Sequence, residues 1–492
     1  MSKGRTRVLV LAALIGTASL VSRAASAGEA ANAARDDAID AALRLADQHD
    51  QHDQHDQVMP AEAADNAALA GRAQAADGAN PSAQRASDTT DLPPVLPAPV
   101  SAGSAPSSSS GSRDLALSVQ DAVRYADLRD GGGAWRNQAS LDLRYEKTLA
   151  GQFDVNASWR LDRFDPLSSA AAPAHTESLL REAYVGWRPG KLTTLDVGRM
   201  NQRVGVAFGY NPTDFFKAGA VDLDVSPDPL SRRTNRLGTI GVRGQQVWDS
   251  GSAQMLFSPR LASRMEPGDP EASGTLERTN SIGRWMFVGS QRMGASLQPQ
   301  VVAYGEEGQA PQFGMNLSGL FGNAVVGYTE ISMGRRPSLI ASTMGTNGDS
   351  AFRVSSASGL TWTLPTTNLA LTLELQTNGA GASPAQWRTL AATNPMAWGR
   401  AVQGSVTAQE LPTRYGVFAM AIWRNAVVRR VDVSAFGQFD QGGGGQGWLE
   451  VRRHFDRFDV ALQLQTQYGP VWDRYGAMSE RSSVQVLAAF YR

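Results

Sequence analysis

Cysteine is absent from the 492 residues, which excludes disulfides, thiolate metal sites and an acylated-cysteine anchor. Lysine is nearly absent too, since among 46 basic residues only Lys3, Lys147, Lys191 and Lys217 are lysine. A GC-rich genome accounts for such a bias; a lumen lined with rigid, permanently charged guanidinium groups is the functional alternative. No excess of one charge exists, with 46 basic against 47 acidic side chains, so nothing points to nucleic acid as a partner. Histidine is sparse: beyond the N-terminal region only His175 and His454 occur. His175 sits in a Pro/Ala/Ser stretch, and His454 follows Arg452-Arg453 with no paired serine and acid at useful spacing, so a hydrolase triad is not expected. The glycines at 442–445 precede no helix and read as a turn between strands rather than a phosphate loop. Neither an enzymatic activity nor a cofactor is expected.

Long hydrophobic runs are also missing. Lys3, Arg5 and Arg7 precede an apolar run from Val8 to Leu20, and Ala25-Ser26-Ala27 has the small-residue form of a secretory cleavage site, with cleavage expected before Gly28. That run is too short for a comfortable helical span, and nothing after it approaches the roughly 20 consecutive apolar residues a helical span needs. If the exported chain crosses a membrane, it must do so with strands.

What is present falls into two regions. Residues 28–112 are rich in Ala, Asp, Gln, Ser and Pro, a composition that cannot build a core. A disordered, partly helical periplasmic arm is expected there, with a short amphipathic helix over Asp36–Ala46 and a Pro/Ser-rich linker over Leu92–Ser112. Within it His49, His52 and His55 recur three apart and are weak candidates for a divalent metal; a solvated low-complexity tract is the favoured account.

From residue 113 to 492 the period changes to two. Leu141, Leu143 and Tyr145 alternate with polar residues, and after Ala150-Gly151 so do Phe153, Val155, Ala157, Trp159 and Leu161. Further runs occur over 183–187, 195–198, 369–376, 431–435 and 458–465. Apolar residues hold one face; Glu, Asp, Arg and Gln hold the other. A soluble sandwich would alternate in the same way locally. Aromatics near strand ends, namely Trp159, Trp187, Trp248, Trp285, Trp362, Trp423, Trp448 and Tyr468, favour a barrel with interfacial girdles.

Connection length supplies a parity test. Short turns near 150–151, 189–191, 248–251, 292–295, 322–323, 365–367, 425–426 and 456–457 alternate with longer connections, apart from a short one near 306–310. Bacterial barrels keep short turns in the periplasm and long loops outside. An ascending strand is then required before Asn137, and Leu115–Tyr125 supplies it, although Val119, Ala122, Val123 and Ala126 also fit a helix. With 400–411 placed in a long outer loop, an antiparallel barrel of about 18 strands (16–18) closes with both termini periplasmic.

The longest connection, 201–235, holds Asn211-Pro212-Thr213-Asp214, Phe215-Phe216 and the basic cluster Arg232, Arg233 and Arg236. One reading folds it into the lumen, where Arg199, Arg203, Arg232, Arg233 and Arg243 face Glu182, Asp196, Asp214 and Asp222. The other leaves it outside, held by ordinary surface ion pairs.

Glu182–Trp187 (EAYVGW), Leu195–Arg199 (LDVGR) and Tyr210–Asp214 (YNPTD), together with the export signal and hairpin layout, resemble the porin-like and alginate-export families of bacterial outer-membrane barrels. The motifs cover about 35 residues, while the strand layout extends over 115–492. The resemblance implies a monomeric or trimeric pore, with an arginine-rich lumen in the polysaccharide exporters. Two departures stand out: the N-terminal arm, and a last strand ending Phe490-Tyr491-Arg492 rather than on an aromatic. The expected function is an outer-membrane channel passing a hydrophilic solute or polysaccharide, inserted into outer-membrane lipid by the barrel-assembly machinery. An alternative is a barrel anchoring its periplasmic arm, residues 28–112, for a periplasmic partner.

Overall fold

The computed structural model describes residues 114–220, 228, 231–232, 235–263, 275–294, 296–346 and 348–491, all within the unit Thr90–Arg492. The signal segment 1–27, the arm 28–112 with His49, His52 and His55, and the loop residues Asp222 and Arg233 lie outside the described residues.

Alternation of apolar and polar residues yields eighteen strands. They are β1 (Leu115–Leu128), β2 (Gly133–Leu149), β3 (Phe153–Pro166), β4 (His175–Trp187), β5 (Thr193–Met200), β6 (Thr239–Trp248), β7 (Gly251–Ser258), β8 (Arg284–Gln291) and β9 (Leu297–Glu306). The second half comprises β10 (Gln312–Phe321), β11 (Val325–Arg336), β12 (Ala351–Leu364), β13 (Leu369–Asn378), β14 (Tyr415–Trp423), β15 (Val431–Asp440), β16 (Gly445–His454), β17 (Phe458–Tyr468) and β18 (Glu480–Tyr491). Each strand pairs antiparallel with its successor, and β18 pairs with β1 from Ser118↔Tyr491 to Leu128↔Glu480. The sheet is therefore closed, and no strand is left with an open edge. Leu115–Leu128 is a strand, its helical alternative excluded by pairing on both sides.

The burial pattern is that of a barrel turned inside out. On β13, Thr372, Glu374, Gln376 and Asn378 are buried, while Leu371, Leu373 and Leu375 are 37%, 48% and 60% exposed. Connections at one end are short: 150–152, 188–192, 249–250, 292–296, 322–324, 365–368, 424–430 and 455–457. Gly151 and Gly322 adopt positive φ in two of them, as tight reversals require. The other end carries 201–238, 259–283, 337–350 and 379–414, together with shorter links such as 307–311 and 441–444. Strand β1 begins and β18 ends at the short-turn end.

Helical turns occupy the long-connection end: α1 (Thr275–Thr279), α2 (Leu339–Thr343), α3 (Pro384–Thr393), α4 (Pro395–Thr407) and α5 (Arg474–Ala477). Ser383 caps α3 in a reciprocal box with Gln386, and Asn394 ends α3 while capping α4. Residues 400–411, expected in a long loop, are thus mostly helix.

Exposed tryptophans mark both rims, with Trp187, Trp248 and Trp362 toward the short turns and Trp135 and Trp285 toward the long connections. Two expected girdle residues are not exposed. Trp448 faces inward against Phe436, with ring centroids 5.7 Å apart. Trp423 is buried with Leu369, Ala426 and Val433 and donates Nε1–H to the Thr367 carbonyl at 2.9 Å. Trp448 alternates onto the inner face with Gln446 and Glu450, whereas Trp423 shares the outward face of Tyr415 and Val417 and is covered there by its neighbours. The 442–445 glycines serve packing, because a Cβ on Gly442 or Gly444 would strike the Asp473 carboxylate.

Candidate functional site

Residues 201–220 leave β5 and cross the inside of the barrel to the wall formed by β10–β15. Five consecutive backbone amides are taken up there by two fully buried glutamates, Glu330 on β11 and Glu374 on β13. Val206 and Ala207 donate N–H to Glu330 Oε1, the latter at 2.6 Å. Phe208 and Tyr210 donate to Glu374 Oε2 and Oε1 at 2.8 and 3.0 Å, with Gly209 at 3.2 Å to Oε1. Tyr328 Oη and Gln376 Nε2 also donate to Glu374, at 3.0 and 2.7 Å, while Thr213 Oγ1 reaches Glu330 at 3.1 Å. A carboxylate withdrawn from water is tolerable when this many donors replace its hydration. Gly209 permits the approach, since a Cβ there would lie 2.5 Å from Phe418 Cγ on β14.

Apolar packing reinforces the crossing. Ala207, Phe208 and Tyr210 pack among Tyr328, Phe418, Met420, Phe436 and Trp448, and Phe216 packs among Tyr184, Leu256, Met286 and Tyr304. Beyond the wall contacts the segment is tied to the connection 379–414. Tyr210 Oη donates to Glu410 Oε2 at 2.8 Å, Lys217 Nζ lies 2.8 Å from Glu410 Oε1, and Gln409 Nε2 donates to the Lys217 carbonyl at 2.8 Å. Burial opposes ionisation of Glu410, yet the charges of Lys217 and Arg336, with bonds from Lys217 and Tyr210, hold its carboxyl below the ordinary value. Burial, then the neighbouring Glu410 charge, pushes the Tyr210 phenol well above its own.

The charges singled out in the sequence are distributed as local pairs. Arg243 on β6 donates Nε and Nη2 to Asp196 Oδ2 on β5 at 2.9 and 2.7 Å, both residues being buried. Asp214 is met by Arg236, Nη1 at 2.5 Å, rather than by Arg232. Glu182 accepts from the Asn201 amide at 3.2 Å, where the inward segment begins. Arg203 is half-buried on that segment. Arg199 does not join this set: alternation puts it on the face of Leu195 and Val197, and its Nη1 donates to the Leu180 carbonyl at 3.2 Å. Arg232 stands near Arg474, and loss of hydration, then that like charge, brings its guanidinium down to about 10.

Several functional side chains have no motif in the sequence. Besides Glu330, Glu374, Lys217 and Glu410, these include an inner ladder on β2–β4 in which Arg181 Nη2 meets Asp142 Oδ2 at 2.6 Å and Arg160 Nε meets Asp162 Oδ2 at 2.7 Å. A bulge opposite Ser158 and Trp159 turns both Arg181 and Glu182 inward. Asn235 Oδ1 accepts from Arg181 at 2.9 Å and Arg144 at 3.2 Å, which moors the returning limb to the near wall.

Between the crossing segment, the connection 379–414 and α5 lies a cavity of about 120 Å³. Phe208, Tyr210, Phe418 and Phe436 line it together with Gln438, Gln446 and Gln467 and the cations Lys217, Arg232, Arg236 and Arg474. Among the described residues, Asp214 and Glu410 are its only acidic lining residues. Asn211 Oδ1, Arg236 Nε and Gln467 Oε1, all lining atoms' residues, have no hydrogen-bond partner among the described residues.

The chain matches no family model and no curated protein. Solved structures similar to it include Pseudomonas aeruginosa OccK7 (OpdD), at 13% identity and a TM-score of 0.46 over 77% of this chain and 98% of that one. Pseudomonas aeruginosa OpdQ is similar at 10% identity and a TM-score of 0.48, covering 77% and 98%. A Rhodopseudomonas blastica porin mutant is similar at 10% identity and a TM-score of 0.37, covering 77% and 100%.

Proposed function

We propose that the chain is an outer-membrane channel for small hydrophilic solutes, constricted by residues 201–220 and preferring anions. The observation that carries the reading is the crossing segment itself, latched by Glu330 and Glu374 inside a closed barrel with a polar interior and an apolar exterior. A small solute is favoured over an exported polymer because the two longest connections are tied to each other within the lumen, through Tyr210, Lys217, Gln409 and Glu410. The preference for anions follows from four cations against two acids among the described residues around the cavity, with both acids already engaged by Lys217 and Arg236. In this reading the short turns and residues 28–112 are periplasmic.

Planar-bilayer recording tests it. Stepwise conductance is expected, with a reversal potential in a salt gradient that reports anion preference, and Arg232→Ala reduces that preference. Silence from both the full chain and a chain lacking residues 28–112 would sink the channel reading; cation preference would sink the charge argument alone.

A further inference from the structure

On β1 the outward face runs Leu115, Leu117, Val119, Asp121, Val123, Tyr125, with Leu115 and Val119 strongly exposed. Asp121 interrupts it. Its direct cross-strand neighbours are Ala139 on β2 and Ala488 on β18, and it accepts a hydrogen bond from Asn137 Nδ2 at 3.0 Å. It lies four residues from Tyr125, whose ring packs on Trp135 at 5.0 Å near the long-connection rim, and six residues from Leu115 at the other end. At about 3.3 Å per residue these are about 13 and 20 Å along the strand, so the carboxylate stands within the apolar band. Among the described residues no other carboxylate occupies the outward face away from strand ends. An ionisable group at that depth is costly against lipid and needs a partner.

The register names one. Asp121 is paired with Ala139, and Ala139 with Arg163 on β3, so an acid and a base flank one alanine in a single row. Arg163 also faces outward and is half-exposed, with Nη2 2.7 Å from Asp165. Strands lie about 4.8 Å apart, leaving Asp121 and Arg163 of one chain about 10 Å from each other. The row climbs from Arg453 and Val460 at the short-turn end to Thr176 at the other, so with strand tilts of 35–45° Arg163 sits about 6 Å above Asp121, within reach of an arginine side chain. A two-fold axis along the membrane normal, just outside Ala139, exchanges left for right. It would bring each acid opposite the other copy's base.

We propose that two copies of this chain associate through the outer face of β1–β3, with Asp121 of each paired to the other's Arg163 across Ala139. The inference rests on the reading of this face as membrane-embedded. The small side chain at the axis allows close approach, and the two reciprocal ion pairs are shielded from water there, where a charge pair is worth more than at a surface.

Because the chain has no cysteine, Ala139→Cys introduces a single thiol. In lipid vesicles, oxidation is expected to give a disulfide-linked dimer on a non-reducing gel, while Met315→Cys on β10, eight strands round the ring from β2, stays monomeric. Asp121→Arg and Arg163→Asp should each abolish the dimer, and the two together should restore it; heat-modifiable gel mobility confirms that every variant is folded. Absence of the cross-link at 139, equal cross-linking at 315, or failure of the double exchange to restore the dimer would overturn the proposal. A chain that does not float with the vesicles overturns the membrane reading, whereas a floated monomer overturns the dimer alone.

Discussion

A single carboxylate on the far wall does what an ion pair cannot. Glu374 gathers three backbone amides, a phenol and an amide side chain, so its removal strands donors as well as an acceptor. Glu374→Gln presents an NH2 to groups that themselves donate, and a loss of about 2 kcal/mol or more is expected from charge-assisted bonds of this kind. The unfolding midpoint in urea and the open-state current noise should both change; unchanged noise would mean the segment is held by apolar packing alone. The tether at Glu410 adds a pH dependence. Its carboxyl is depressed below the ordinary 4.5, so its contribution is complete above that value and is lost as pH falls through the folded one. Conductance at pH 6 should be steady, acid below the ordinary glutamate range should loosen the tether and raise it, and Lys217→Met should move that onset to higher pH. At this scale the sequence was only partly legible. Alternation put Asp196 and Glu374 on the polar face, but nothing local could announce that Glu374 bonds residues more than 160 positions away. Asp214 was recognised but its partner Arg236 was left out of the set facing the acids, because Arg232, Arg233 and Arg236 are indistinguishable until the chain is folded.

Elements were far more legible, since they depend on period and turn chemistry rather than on distant partners. All eight short turns fall where Pro-Gly, Ala-Gly, Gly-Asn and similar breaks stand in the chain, and parity alone demanded β1. Helices α3 and α4 were missed because they lie in a connection with little hydrophobic period, where their caps, Ser383 and Asn394, carry the signal. The crossing segment is the element most sensitive to bulk. Gly209→Ala puts a methyl group 2.5 Å from Phe418 Cγ, too close for either to remain in place. The segment should withdraw from the β13–β14 wall, raising single-channel conductance while the barrel stays closed, as judged by unchanged β-sheet circular dichroism. A fall in conductance would show instead that the segment stiffens the pore rather than narrowing it.

At the scale of the molecule the decisive property is the inversion of inside and outside, and neighbouring residues on one strand can test it. Leu462 faces out from β17 and Gln463 faces in, where its Nε2 donates to Glu450 Oε2 at 2.6 Å. Their Cβ atoms are adjacent in sequence and opposite in environment, so composition and strand propensity are held constant between them. If the exterior meets lipid, Leu462→Lys places a charge in hydrocarbon at about 2–4 kcal/mol near the midplane. Gln463→Lys in the same setting replaces a neutral donor to Glu450 by a cationic one in a polar lumen and should cost little. A soluble β protein with a conventional core would reverse the order, because the interior would then be the place intolerant of charge. Urea unfolding of both variants in vesicles separates the cases: the membrane channel requires Leu462→Lys to be the more destabilised, and the opposite ranking removes the ground on which the constriction, the anion preference and the dimer all stand.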